Sequence, residues 1–228
     1  MKVLRHLPNA LTCGNLLCGS LGILWVTKYP VEQAAYFVWA ACVFDFLDGF
    51  VARALHASSP IGKELDSLAD MVSFGLLPTI ALYTMIDSTV DIDPLFSFGA
   101  FSIVIFSALR LAKFNIDENQ KDSFTGVPTP ATALFITALP FLPEPAHSLM
   151  DHGAALIAIA VLMSFLLVSP FKLFALKFKN FSWADNKIRF TFTLLAVLLL
   201  AGWQAGAIPF IILLYIAISL VNRVLGVS

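Results

Sequence analysis

The stretch DFLDGFVARALHASSPIGKELDSLAD, residues 45–70, follows the apolar run AAYFVWAACVF of residues 34–44 and sets four aspartates, Asp45, Asp48, Asp66 and Asp70, at the ends of hydrophobic segments. Asp45 and Asp48 lie three positions apart, and Gly49, Ala52 and Arg53 follow at offsets that keep all five on one helical face. Asp66 and Asp70 lie one turn apart and share a face too. The intervening ALHASSPIGKE can reverse the chain, so the two pairs can meet as halves of a helix-loop-helix clasp. Each aspartate taken singly also reads as a helix cap or a water-exposed charge. Four together repel one another unless something positive stands between them. Magnesium and manganese prefer carboxylate oxygens, four carboxylates suffice for two such ions, and paired ions suit displacement at phosphorus.

The rest of the chain says where this clasp sits. Of 228 residues 59% are hydrophobic and 13% charged, with 21 phenylalanines and a mean hydropathy of +0.86, which lies outside the range of soluble domains and indicates an integral membrane protein. A net charge of -1 argues against nucleic acid as a partner, because a phosphate backbone requires clustered cations. Cys13, Cys18 and Cys42 fall in apolar segments without metal-ligand spacing and read as small packing residues. The basic, then apolar N-terminal segment lacks a small-x-small cleavage site and reads as a retained first helix.

Runs long enough to cross a bilayer predict an all-α polytopic fold with about eight transmembrane helices, near 10–27, 31–50, 67–86, 95–114, 129–143, 152–170, 190–204 and 206–222. The fifth and seventh are the weakest, and six spans is the competing count. Charge tests the placement independently. With eight spans, one side collects every lysine and arginine except Lys28, while the opposite loops hold Glu32, Asp87, Asp91, Asp93, Glu144 and Asp151. By the positive-inside rule both termini and the clasp face the cytoplasm. No repeat, linker or long polar block divides the chain, so 1–228 is expected to be a single domain.

Written by spacing, the clasp is D45-x2-D48-G49-x2-A52-R53-x8-G62-x3-D66-x3-D70, which resembles at every fixed position the signature of the CDP-alcohol phosphatidyltransferase family. That resemblance implies a six-helix core and an enzyme that displaces CMP from a CDP-linked lipid by an alcohol. It implies that Asp45, Asp48 and Asp66 carry two divalent ions, Mg2+ or Mn2+, with Asp70 sharing in metal binding or acting as the base that deprotonates the incoming hydroxyl. It also implies that Gly49, Ala52, Arg53 and Gly62 line the CDP pocket, and that the protein is a homodimer in a bacterial inner (plasma) membrane.

Three further stretches are similar to the bacterial phosphatidylserine synthase branch of that family. The opening LPNALTCGNLLCGSLGI contributes Pro8, Asn9, Thr12, Asn15 and Gly19; ALRLAKFNI and FTGVPTPATA contribute Arg110, Lys113, Asn115, Gly126, Pro128 and Pro130; MSFLLVSPFKLFALK matches loosely. Lys113 stands where the branch usually has arginine, which keeps the charge but not the planar fork. The resemblance implies CDP-diacylglycerol and L-serine as substrates and phosphatidylserine and CMP as products. Glycerol 3-phosphate, choline or an inositol phosphate are the alternative acceptors. A membrane transporter is a more distant alternative, for which acidic residues belong near mid-bilayer.

The same residues have plainer readings. Thr12, Asn15 and Gly19 share one face of the first helix, where an amide needs a partner: a nucleotide base, or an ordinary interhelical hydrogen bond. Arg110 and Lys113 at a cytoplasmic span end suit a lipid phosphate or a serine carboxylate, or serve as a positive-inside flank. The prolines of GVPTP fix the backbone either as a rigid re-entry or as a wall of an acceptor pocket. No serine, cysteine or histidine stands at nucleophile spacing from a base in the cluster, which predicts direct displacement without a covalent enzyme intermediate.

Overall fold

In the first helix, α1 (Leu7–Val26), the buried residues are Pro8, Thr12, Asn15, Gly19, Gly22 and Val26, while Leu17, Leu21 and Leu24 are exposed. The spacing of four and three places all the buried positions on one face. Small and polar residues turned inward, with leucines outward, is the arrangement of a helix whose outer solvent is lipid. The computed structural model describes residues 6–57, 59–116, 124–173 and 183–224.

Among the described residues, five helical segments are long and apolar enough to cross a membrane, namely Leu7–Val26, Val31–Ala54, Pro60–Asp87, Pro94–Ile116 and Asn186–Asn222, with Thr129–Phe141 and Gly153–Val168 as shorter apolar ones. The last long segment is two helices, α8 (Trp183–Trp203) and α9 (Ile208–Val224), folded back at Gln204–Ala207. The rings of Phe192 and Tyr215 stand 5.8 Å apart, where one straight helix would separate them by about 35 Å. Each of the eight expected spans therefore corresponds to an apolar helical segment, and the all-α polytopic class holds. The one strand pairing among the described residues joins Phe124–Thr125 (β1) to Lys172–Leu173 (β2).

Several boundaries differ from the sequence reading. The third span was expected from residue 67, but helix α3 (Pro60–Asp70) begins seven positions earlier. Ser59 Oγ accepts from the Gly62 amide at 3.1 Å and Pro60 occupies the first turn, where its missing N–H costs nothing. Lys63 and Glu64 hide this start from hydropathy. The seventh span, expected from 190, begins at Trp183. Helix α2 (Ala34–Ala54) likewise runs beyond the expected end at 50, so Arg53 is helical.

After α3 the chain widens into a π-helical turn, Met71–Leu76, before α4 (Leu77–Asp87). Pro78 has no N–H for the Phe74 carbonyl and its ring would crowd that carbonyl in a regular helix; the wider turn relieves both. Gly19 of α1 approaches this turn so closely that a Cβ would stand 2.6 Å from the Ser73 Cα, and Ser73 Oγ donates to the Asn15 carbonyl at 2.8 Å. The first and third spans are thereby locked at the level of the aspartates.

Helix α5 (Ser102–Ile116) and the short α6 (Thr129–Ala138) complete the surroundings of the site. Seven of the ten residues of α6 are buried, including Thr129, Thr132 and Thr137. It read weakly as a span because it meets protein on most sides and carries hydroxyls that lipid would not accept. The turn before it requires Gly126 at φ +75°, and the adjacent amides of Gly126 and Val127 donate to Phe171 O at 3.0 Å and Leu166 O at 2.9 Å, at the end of α7 (Gly153–Val168). GVPTP is thus a rigid re-entry.

Candidate active site

Continuous helix through Ala54 sets Asp45 and Asp48 on one face, and the capped start of α3 sets Asp66 and Asp70 on another; the short turn between them brings the faces together. Asp45, Asp48 and Asp66 each place one carboxylate oxygen within 4.8 Å of the others. A single hard cation ligated at about 2.0–2.6 Å spans such a gap. Asp66 Oδ1 is buried and has no hydrogen-bond partner among the described residues, which is costly for a carboxylate oxygen unless a cation completes it. The donor set is all oxygen, so the three residues fit a divalent metal ion.

Asp70 is outside that group of three. Its Oδ1 accepts from Asn15 Nδ2 at 3.1 Å. Thr12 Oγ1 lies 2.6 Å from Asp48 Oδ2. The first helix therefore touches both arms of the clasp.

Beside the carboxylates runs a cleft lined by Thr12, Asp48, Gly49, Ala52, Gly62 and Asp66, all of which the sequence had singled out. Gly62 makes room for Asn9, whose Oδ1 would stand 3.1 Å from a Cβ there, and Gly49 makes room for the Arg53 guanidinium, 3.3 Å from the corresponding point. Arg53 is exposed beside the cleft. Asn9, Ser59 and Lys63 also line it and were missed as site residues. Ser59 had a legible signal in the Ser-Pro pair; Lys63 had none. Its Nζ donates to Asn115 O at 2.7 Å, and Asn115 Nδ2 donates to Ser67 Oγ at 2.9 Å, fastening α3 to α5.

Arg110 and Lys113 do not line the cleft. Arg110 turns inward from α5, donating through Nη1 to Thr129 Oγ1 at 2.8 Å while its Nε is buried without a partner among the described residues. Lys113, one turn on, is exposed.

The family model for CDP-alcohol phosphatidyltransferase matches residues 5–168, which contain the first six apolar segments and the whole clasp. The chain belongs to the CDP-alcohol phosphatidyltransferase family. Among its relatives, the CDP-diacylglycerol--serine O-phosphatidyltransferase of Bacillus subtilis (strain 168) is 33% identical over 170 residues, covering 74% of this chain and 90% of that protein. The enzyme of the same name from Helicobacter pylori (strain ATCC 700392 / 26695) is 34% identical over 171 residues, 71% of this chain and 69% of the other. The archaetidylserine synthase of Methanothermobacter thermautotrophicus is 33% identical over 162 residues, 69% and 66% respectively. Divalent-metal dependence is a property of this phosphatidyltransferase family, in agreement with the aspartate triad. Helices α8 and α9 lie beyond the matched region.

Proposed function

We propose that this protein transfers the phosphatidyl group of CDP-diacylglycerol to L-serine, releasing phosphatidylserine and CMP. The observation that carries the reading is the convergence of Asp45, Asp48 and Asp66 beside a cleft floored by Gly49, Ala52 and Gly62, in a chain whose relatives bear the name of that reaction. Asp45, Asp48, Asp66 and Asp70 would hold two divalent ions, Mg2+ or Mn2+, which supply charge neutralisation at the pyrophosphate.

The residues of the chain have the following roles in this reading. Gly49, Ala52 and Gly62 admit the CDP moiety to the helix surface, and Arg53 offers a planar fork to a phosphate oxygen. Arg110 receives the serine carboxylate, with Lys113 as a more distant positive charge. Asp70 takes the proton of the serine hydroxyl. The serine oxygen bonds to the phosphorus nearer the lipid, the bond from that phosphorus to the bridging oxygen breaks, and CMP departs with that oxygen. No acyl or phosphoryl group is held covalently by the enzyme.

In this reading the protein lies in the bacterial inner membrane as one domain, with both termini and the clasp on the cytoplasmic side. The lopsided lysine and arginine distribution supports that orientation. A homodimer follows the family resemblance, and crosslinking in membranes checks it.

The deciding experiment offers purified protein, CDP-diacylglycerol and Mg2+ or Mn2+ to serine, glycerol 3-phosphate, choline and inositol phosphate in turn. Phosphatidylserine with stoichiometric CMP supports the proposal. Product from another acceptor and none from serine overturns it.

A further inference from the structure

Helix α1 carries two neutral donors one turn apart, and each meets a carboxylate from a different arm of the clasp. Thr12 Oγ1 reaches Asp48 Oδ2 at 2.6 Å and Asn15 Nδ2 reaches Asp70 Oδ1 at 3.1 Å. Thr12 Oγ1 also lies 3.1 Å from the Pro8 carbonyl, but a hydroxyl has one proton to donate. The shorter contact, to an anion, is the stronger and takes it. For Asn15 the reverse amide orientation would set two acceptor oxygens against each other, so the NH2 faces Asp70.

We infer that Thr12 and Asn15 are positioning residues of the metal site: by occupying Asp48 Oδ2 and Asp70 Oδ1 they leave Asp48 Oδ1 and Asp70 Oδ2 as the oxygens presented to cations. Of the two partners open to these residues, a nucleotide base or an interhelical hydrogen bond, the assignment takes up the second, and it rests on the metal-binding reading given under the proposed function.

Three observations support it. Both side chains are buried, Thr12 at 3% and Asn15 at 0% exposure, and Asn15 Oδ1 has no partner among the described residues. An unpartnered amide oxygen inside a membrane protein destabilises the fold. A leucine would fill the position without that cost, so the amide is retained for the bond to Asp70. Both donors are uncharged, which orients a carboxylate without neutralising it; a lysine at either place would compete with the cation. Finally, the backbone holding them is fixed independently of their side chains, by Ser73 Oγ on the Asn15 carbonyl and by the close approach of Gly19 to Ser73. Outer hydrogen bonds of this kind orient metal ligands, and losing one typically weakens affinity by about 10- to 100-fold.

The test is Mn2+ binding to the full-length protein in detergent, read from the EPR signal of the free ion with neither lipid nor acceptor present. Alongside the wild type it uses Thr12→Val, Thr12→Ser and Asn15→Leu, with the metal-free melting temperature as the control for folding. The expected result is a loss of affinity of about tenfold or more in Thr12→Val and Asn15→Leu. Thr12→Ser restores near-normal binding, and Asn15→Leu retains a cooperative melt. Should Thr12→Val fail to fold, Asn15→Leu carries the test alone, since it removes the unpartnered Asn15 Oδ1 against the loss of one donor to Asp70 Oδ1. Wild-type affinity in both donorless variants, or equal loss in Thr12→Ser and Thr12→Val, overturns the inference. A wild type that binds no Mn2+ overturns instead the metal reading beneath it.

Discussion

Gly19 and Ser73 stand in backbone contact: a Cβ on Gly19 would lie 2.6 Å from the Ser73 Cα and 2.9 Å from its nitrogen. The Ser73 hydroxyl could turn aside, but the Ser73 Cα and nitrogen are backbone, so the helices cannot yield without moving. The contact sets how deeply α1 seats against the π-helical turn, and hence how far Thr12 and Asn15 reach across the clasp.

Gly19→Ala should accordingly lower both stability and activity. Overpacking of this kind costs about 1–3 kcal/mol, read as a fall in the melting temperature in detergent. Gly202→Ala is the control, because nothing lies within 4 Å of the point its Cβ would occupy; it should leave melting and CMP release unchanged. Equal tolerance at both positions would contradict the seating argument.

At Gly49 the outcome should separate folding from catalysis. The nearest atoms its Cβ would meet belong to the Arg53 guanidinium, with Nη1 at 3.3 Å, and a mobile guanidinium can give way. Gly49→Ala should therefore melt with the wild type while the KM for CDP-diacylglycerol rises, since the methyl group intrudes on the cleft wall. A large drop in melting temperature would show the glycine to be needed for packing instead.

Asp66→Asn removes a carboxylate whose Oδ1 is buried and unpartnered. Metal-dependent CMP release should fall by at least about 100-fold, while insertion and melting without metal are retained or improved, because a neutral amide is cheaper to bury than an anion. Retention of more than a tenth of wild-type turnover would falsify its assignment as a metal ligand.

Arg110→Lys should act on the acceptor side alone. Arginine here makes a directed bond to Thr129 and keeps Nε unpartnered, a fork that lysine cannot reproduce. The KM for serine should rise by about tenfold or more, equivalent to about 1.4 kcal/mol, with the KM for CDP-diacylglycerol little changed. Lys113→Ala, at an exposed position, should alter either constant by about threefold at most. A uniform effect on both substrates in Arg110→Lys would move Arg110 out of the acceptor pocket.

On the opposite side of the bundle, Asp91 Oδ1 accepts from the Gly153 amide at 2.8 Å, at the start of α7. That amide, with weaker help from Thr89, holds the Asp91 carboxyl below its ordinary range. A depressed folded-state pKa means that the stability it contributes is fully present above the unfolded value, near 4. It is lost as pH falls through the lower, folded one. Asp91→Asn keeps an acceptor but loses the charge, so it should melt below the wild type at pH 7 and converge with it as the pH approaches 3. A gap that stayed constant from pH 7 to 3 would rule out the charge as its source.

The spans and the clasp were legible in sequence because they depend on local periodicity. Hydropathy over about 20 residues marks a helix in lipid, and offsets of three and four fix which aspartates share a face whatever else the chain does. Boundaries were harder to read. The start of α3 at Pro60 was announced by Ser59-Pro60 but lay outside the apolar window, and α6 looked like a poor span because it is buried within the protein rather than in lipid.

The sequence alone determined that this is a membrane protein with paired carboxylates on two adjoining helix ends, since both properties follow from neighbours in the chain. Which side chain serves each carboxylate was decided only by the tertiary structure. Thr12 meets Asp48 across 36 positions, Asn15 meets Asp70 across 55, and Arg110 is turned by Thr129 on another helix. No periodicity encodes such pairings; they arise where Gly19 lets two backbones touch, and that depends on how the helices pack together.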